Sequence, residues 1–195
     1  MFRFQLDDDV ALRILEERYA EELFALIERN REHLRKWIPW VPEHTSPQHT
    51  VDRIRHDLRM FAENGGFLAG IWSEGKLVGV VGLHEIDHTN RYTDIHYWLD
   101  EAHQGKGLVT RSCRAVLDHA FNDLGLNRIE IRCDPDNLRS RAIPEKLGFT
   151  QEGVLRERVW KNDRFADLMV YGMLSTEWKA QGLLPKHPHK SADHL

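Results

Sequence analysis

The sequence predicts one mixed α/β domain in which strands and helices follow in the order β-α-α-β-β-β-α-β-α-β-β. Three observations carry that expectation. The chain has 195 residues, above the roughly 150 of an average domain but short of two complete cores. Hydrophobic residues make up 41% and charged residues 30%, with 13 glycines and 7 prolines, a balance that supports a packed core and excludes disordered or collagen-like chains. Along the chain, alternating or continuous apolar runs give way to apolar residues three and four apart, the two periods that separate strands from helices. The domain is expected to span residues 1–184, with 185–195 as a flexible C-terminal tail.

Residues 10–15, with Val10, Leu12 and Ile14 in alternation, open the domain as a strand. Tyr19, Leu23, Phe24, Ile27 and Leu34 recur at helical spacings and predict the first helix. The run Trp37-Ile38-Pro39-Trp40-Val41-Pro42 ends it, since each proline lacks an N–H and disfavours helix in the residue before it. Trp37 is expected in the core. Ser46 and Pro47 start a second helix with Val51, Ile54, Leu58 and Phe61 on one face, ending at Asn64-Gly65-Gly66. Residues 67–72 and 77–83 are apolar runs around a turn at 73–76, and 92–99 alternate as a third strand beside them. Val109, Cys113, Val116, Leu117, Ala120, Phe121 and Leu124 share a helical face that Gly125 terminates. Residues 129–132 then read as a strand, 138–147 as a short helix, and 149–159 with 166–174 as a closing hairpin around Asn162-Asp163.

Composition excludes several function classes. Lys and Arg number 27 against 31 Asp and Glu, a net charge of −4, and no basic run tracks a phosphate backbone, so nucleic acid is not an expected partner. Cys113 and Cys133 are too few for a disulfide framework and lack the paired spacing of a zinc site. No segment reaches the roughly 18 apolar residues of a membrane span, and the acidic start is unlike a signal peptide. A cytoplasmic location without membrane or metal is expected.

The most informative stretch is Gln104-Gly105-Lys106-Gly107-Leu108-Val109-Thr110, a glycine-rich turn entering a helix. Such a turn aims unpaired N–H groups and the positive end of the helix dipole at one point, where glycines let a large anion approach. It reads as a pyrophosphate cradle or as a tight strand-to-helix turn. A second feature follows a strand: Asn137-Leu138-Arg139-Ser140 opens a helix, with Glu145-Lys146-Leu147-Gly148-Phe149 after it. Together the two motifs resemble the GCN5-related N-acetyltransferases, whose acetyl-CoA loop runs Q/R-x-x-G-x-G/A. Gln104, Gly105 and Gly107 match, and Val109 replaces the final small residue. The span from Tyr97 to Gly107, the Asn137–Ser140 block and the Trp37–Trp40 run look specifically like the RimL and RimJ branch, which acetylates protein N-termini.

The resemblance covers about residues 10–178. It implies a strongly bent mixed sheet of GNAT type and acetyl-CoA as co-substrate, with the pantetheine arm beside the backbone of Trp98 and Leu99. The N–H groups from Gln104 through Gly105, Lys106, Gly107, Leu108 and Val109 to Thr110 would hold the pyrophosphate, with Lys106 pairing a phosphate or staying in solvent. Asn137 would contact the cofactor arm or serve as a plain N-cap. Many family members carry a tyrosine proton donor where this chain has Pro144, so Ser140 is the expected donor to the departing thiolate, or else an ordinary helix-start residue. The base of the RimL comparison falls at Val159. Glu157, two residues earlier and on the same face of a regular strand, and Glu85, backed by His84, Asp94 and His96, are the candidates. Glu85, Asp87, Asp94 and Glu157 would draw a cationic amine. Cys133 reads as a buried thiol. The expected activity is acetyl transfer to a protein N-terminus; a small amine such as a polyamine, amino sugar or amino acid, or a non-catalytic acyl-CoA sensor, stands as the alternative. A homodimer is expected.

Overall fold

The computed structural model describes residues 3–182; the 185–195 tail lies outside them. Two antiparallel strands, Arg3–Gln5 (β1) and Val10–Ile14 (β2), open the chain. The helical segment then runs from a tight turn at Glu17–Tyr19 through Ala20–Arg29 (α1) to Arg31–Leu34 (α2). Its break falls at Asn30, whose buried side chain donates to Leu26 O at 2.9 Å. Pro47–Ala62 (α3) follows, then Phe67–Ser73 (β3), Lys76–Leu83 (β4) and Tyr92–Leu99 (β5). Leu108–Asp118 (α4), Arg128–Cys133 (β6), Leu138–Leu147 (α5), Thr150–Lys161 (β7), Arg164–Leu174 (β8) and Ser175–Ala180 (α6) complete the fold.

The eight strands form one sheet in the order β1-β2-β3-β4-β5-β6-β8-β7, antiparallel throughout except at β5 and β6. β3 and β4 are buried on both faces, as their continuous apolar runs require. Alternate residues serve two cores. Phe67, Ala69 and Ile71 face the cluster built with Leu108, Cys113, Val116 and Leu117 of α4, whereas Leu68 and Trp72 face Leu23, Leu26 and Ile27 of α1 and Ile54 of α3. The helices therefore lie on opposite sides of the sheet, α1 and α3 on one and α4 on the other.

Several expectations are corrected. β1 and α6 were not expected: β1 is a three-residue edge strand that sets only Phe4 against the core, and α6 buries a single large apolar residue, Trp178. Phe61 is 41% exposed and Leu124 39%, because α3 turns Phe61 away from the core and the helix after Asp118 widens into a π turn at His119–Asp123. Trp37 is half-buried rather than core, with the Lys161 ammonium 5.1 Å from its ring centre.

Candidate active site

β5 and β6 pair at three positions only, Tyr92↔Arg128, Thr93↔Ile129 and Asp94↔Glu130. Beyond them β5 stays bonded to β4 as far as Gly79↔Leu99, and β6 to β8 as far as Cys133↔Met169. The sheet thus parts along its middle. The backbone of residues 95–99, Trp98 and Leu99 included, turns toward β6 without a ladder partner on that side. Such an edge can be satisfied by an extended chain of amide donors and acceptors, which is what a pantetheine arm offers.

At the mouth of the gap, Gly105 and Gly107 have φ of 78° and 71°, left-handed values that favour glycine. A Cβ at either would meet nothing within 4 Å, so the turn is open outward. Gly107 is the N-cap of α4, and the first helical bond runs from Arg111 N–H to Gly107 O at 3.0 Å. The N–H groups of Leu108, Val109 and Thr110 precede that ladder and point with the dipole at the same place. Lys106 is exposed beside them, while the Leu108 side chain is buried in the core. The approach to this loop is clamped to the first helices. The buried Asp100 carboxylate accepts from Arg29 at 3.2 Å and pairs with His103 at 2.8 Å, and Asn30 Oδ1 accepts the Glu101 N–H at 2.9 Å. Gln104 joins His33 of α2 to Arg139 of α5. Asn30→Ala leaves the Glu101 N–H without its acceptor and should cost about 1–3 kcal/mol, read as a lower urea midpoint with unchanged slope.

Inside the gap, Asn137 caps α5, its Oδ1 accepting the Ser140 N–H at 3.1 Å. Pro144 is buried within the same helix and has no N–H, so the Ser140 carbonyl lacks the donor that residue i+4 normally provides. Tyr97 takes that place: its hydroxyl donates to Ser140 O at 3.1 Å and lies 3.4 Å from Ser140 Oγ. The Cys133 thiol lies close enough to feel the Ser140 side chain. A tyrosine from β5, a serine from α5 and a cysteine from β6 therefore converge where the strands have separated. Burial pushes the Tyr97 phenol well above its ordinary range and the Cys133 thiol up to about 11, so both hold their protons at neutral pH. Sequence reading took Pro144 as the loss of a tyrosine and missed Tyr97. The signal was a proline four residues after Ser140, which orphans one carbonyl and calls for a donor from elsewhere.

On the α3 face of the sheet lies a cleft of about 560 Å³ lined by Arg53, His56, Asp57, Glu63, His84 and Glu85, among others. Glu85 is exposed there. Glu157 is not among the lining residues. It sits in β7, the edge strand, at φ 51° within a register shift between Leu155 and Val159. That irregularity breaks the alternation that would have set Glu157 on the face of Val159. Asp87 is also removed from the expected acidic lining: its carboxylate accepts from the Asn90 N–H and side-chain amide at 2.8 and 2.7 Å, closing a turn. The cleft is mixed in charge, since Arg53 and Arg59 stand among its carboxylates.

A sheet opened between two parallel strands, with a phosphate-type turn at its mouth and protonated hydroxyls in its depth, defines the architecture of an acyl-CoA-dependent acyltransferase. The model of the acetyltransferase (GNAT) domain family matches residues 9–150. The chain belongs to that family and is an acetyl-CoA-dependent N-acetyltransferase. It is 35% identical to the putative ribosomal N-acetyltransferase YdaF of Bacillus subtilis over 93% of this chain and all of that one. It is 26% identical to the ribosomal-protein-serine acetyltransferase of Escherichia coli over 87% of this chain and 95% of that one. Among solved structures, the microcin C7 self-immunity acetyltransferase MccE in complex with acetyl-CoA and AMP superposes with a TM-score of 0.82 at 31% identity, covering 87% of this chain and 94% of that one.

Proposed function

We propose that this enzyme acetylates the N-terminal α-amine of a protein, of the ribosomal-protein kind, by direct attack of the amine on the acetyl-CoA thioester. The observation that carries this reading is the end-to-end similarity to a putative ribosomal N-acetyltransferase. An open cleft on the α3 face, opposite the side of the sheet that carries Tyr97 and α4, suits a chain end entering from solvent. In this reading the N–H groups from Gly105 to Thr110 hold the pyrophosphate, the Gln104 N–H being donated to Glu101 O at 3.3 Å instead, and the free edge at Trp98 and Leu99 holds the pantetheine arm. Ser140, with Tyr97 behind it, gives the proton to the departing thiolate. Asn137 shapes the start of α5 rather than touching the arm through its oxygen, which is used as a cap. An acceptor of this class places the enzyme in the cytoplasm, and a homodimer is the expected assembly, tested by light scattering.

A small-molecule acceptor is the second reading, favoured by the likeness to an acetyltransferase bound to acetyl-CoA and AMP. Free-thiol release from acetyl-CoA over N-terminal peptides, polyamines, amino sugars and aminoacyl nucleotides separates the two. Turnover is expected with peptides bearing a free N-terminus and none with the same peptides blocked. Turnover with small amines alone overturns the protein reading, and acetyl-CoA binding without turnover on any acceptor makes the chain a sensor.

A further inference from the structure

The gap between β5 and β6 has two sides, and they carry different chemistry. Tyr97 packs against the core shared with α4, and the Ser140 hydroxyl meets it there. Asp94, His96 and Trp98 alternate with Tyr97 and so lie on the other face, where Trp98 packs against the α1 and α3 core. On that face, His84 Nδ1 and Asp94 Oδ2 are 2.6 Å apart. The two residues also bond through the backbone, His84 N–H to Asp94 O at 3.0 Å. Asp94 is in the last residue pair joining β5 to β6, so this couple sits at the vertex where the strands part. Tyr97 lies three residues farther along β5, roughly 10 Å at the usual strand rise. That spacing leaves room for an acetyl group and an attacking nitrogen between the two.

We propose that His84, oriented by Asp94, is the proton acceptor for the attacking amine, which arrives through the α3-face cleft. The proposal rests on the N-acetyltransferase activity and not on which amine is the acceptor. His84 lines the cleft with its side chain 48% exposed, and its Nδ1 is engaged by Asp94, which leaves Nε2 as the free nitrogen. His96 stacks on it with ring centres 4.0 Å apart and planes 21° apart. Both nitrogens of His96 are buried without a hydrogen-bond partner, and burial above all, with the nearby His84 and Arg53 charges, pushes its pKa down to about 3. It is therefore a neutral plate that adds no positive charge beside an imidazolium. A Cβ at Gly82 would meet the Phe67 carbonyl at 2.2 Å and His96 Cε1 at 3.0 Å, so the glycine admits both the neighbouring strand and the His96 ring. Burial works to raise the Asp94 carboxyl, but the hydrogen bond and charge of His84 together with the Arg132 guanidinium hold Asp94 below its ordinary value. The other charges around the pair are Arg53, His56 and Asp57 of α3, the adjacent Glu85, and Arg132 of β6, whose charge reaches Asp94. Glu85 favours an incoming ammonium, and the charge of Arg53 is offset by the buried Asp57 at 2.9 Å.

His84 Nε2 takes one proton from the ammonium and later releases it to solvent. The freed lone pair forms the C–N bond as the carbonyl π pair moves to oxygen. Return of that pair breaks the C–S bond, and the thiolate takes a proton from Ser140, which recovers one from the second N–H of the attacking nitrogen. One amide, one thiol and one solvent proton result. Asp94 is a positioning residue in this scheme, and His84 is catalytic.

The test uses the full-length enzyme and whichever amine the wild type turns over. His84→Ala should lower kcat about 10²-fold, leave acetyl-CoA affinity unchanged, and recover with added imidazole in proportion to its concentration. Asp94→Asn should shift the acid limb of the kcat/KM profile without changing KM for acetyl-CoA. A wild-type rate in His84→Ala, or a loss that imidazole does not restore in a folded variant, overturns the assignment. Should the alanine variant not fold, His84→Gln fills the same space: loss of turnover with acetyl-CoA binding retained supports the dyad, and unchanged turnover overturns it. The acceptor panel is read on the wild type, so a failure of the protein-substrate reading is distinct from a failure of the dyad.

Discussion

Ser140→Ala is expected to lower kcat about 10²-fold, at the low end of what a positioned proton donor contributes, while acetyl-CoA affinity changes by no more than about threefold. The two effects separate because the Ser140 N–H is engaged with Asn137 and its carbonyl with Tyr97, bonds that alanine keeps. Only the Oγ is lost, the atom 3.4 Å from the Tyr97 hydroxyl. Tyr97→Phe leaves the Ser140 carbonyl without a donor and should both slow turnover and reduce stability, by about 1–3 kcal/mol for the unsatisfied group. Pro144→Ala approaches the same point from the backbone. It supplies an N–H four residues after Ser140, which competes for the carbonyl and frees the Tyr97 hydroxyl. A fall in kcat on Pro144→Ala without loss of stability would show that the proline is there to hold the tyrosine. An unchanged rate in Ser140→Ala would remove the serine as proton donor.

Gly107→Val should raise KM for acetyl-CoA by more than tenfold. At φ 71° a β-branched residue carries roughly 1–3 kcal/mol of strain, and relief of that strain displaces the N-cap of α4 and with it the Leu108, Val109 and Thr110 N–H groups. The matched control is Gly125→Val, at φ 65° with equally open surroundings, beyond the far end of α4. Both variants should lose similar stability in urea, and only Gly107→Val should lose cofactor affinity in titration. Equal KM values in the two would mean that the turn serves the backbone alone.

The parts of the fold legible in sequence are those whose signal is local. The apolar runs of β3 and β4, the helical face of α4 and the glycine turn before it needed only periodicity and the conformational demands of glycine and proline. Asn137 was legible as a cap for the same reason. The site is less local. Glu157 seemed to share a face with Val159 because a regular strand was assumed, and the bulge that breaks the alternation comes from pairing with β8, a register set by residues several positions away on another strand. Asp87 looked like an available carboxylate until the turn to Asn90 used it. Tyr97 looked like one more alternating strand residue, and its role depends on a carbonyl 43 residues later.

The sequence by itself determined the class of enzyme, because the two motifs that carry the family resemblance, the glycine turn at residues 104–110 and the helix start at residues 137–140, are each contiguous in the chain. Only the tertiary structure decided where the sheet opens and which side chains face the opening. β5 and β6 part after Asp94 because each keeps its outer neighbour and loses the other, a balance of non-local pairings that no single segment encodes. That parting sets Tyr97 and Ser140 on one face and His84 and Asp94 on the other.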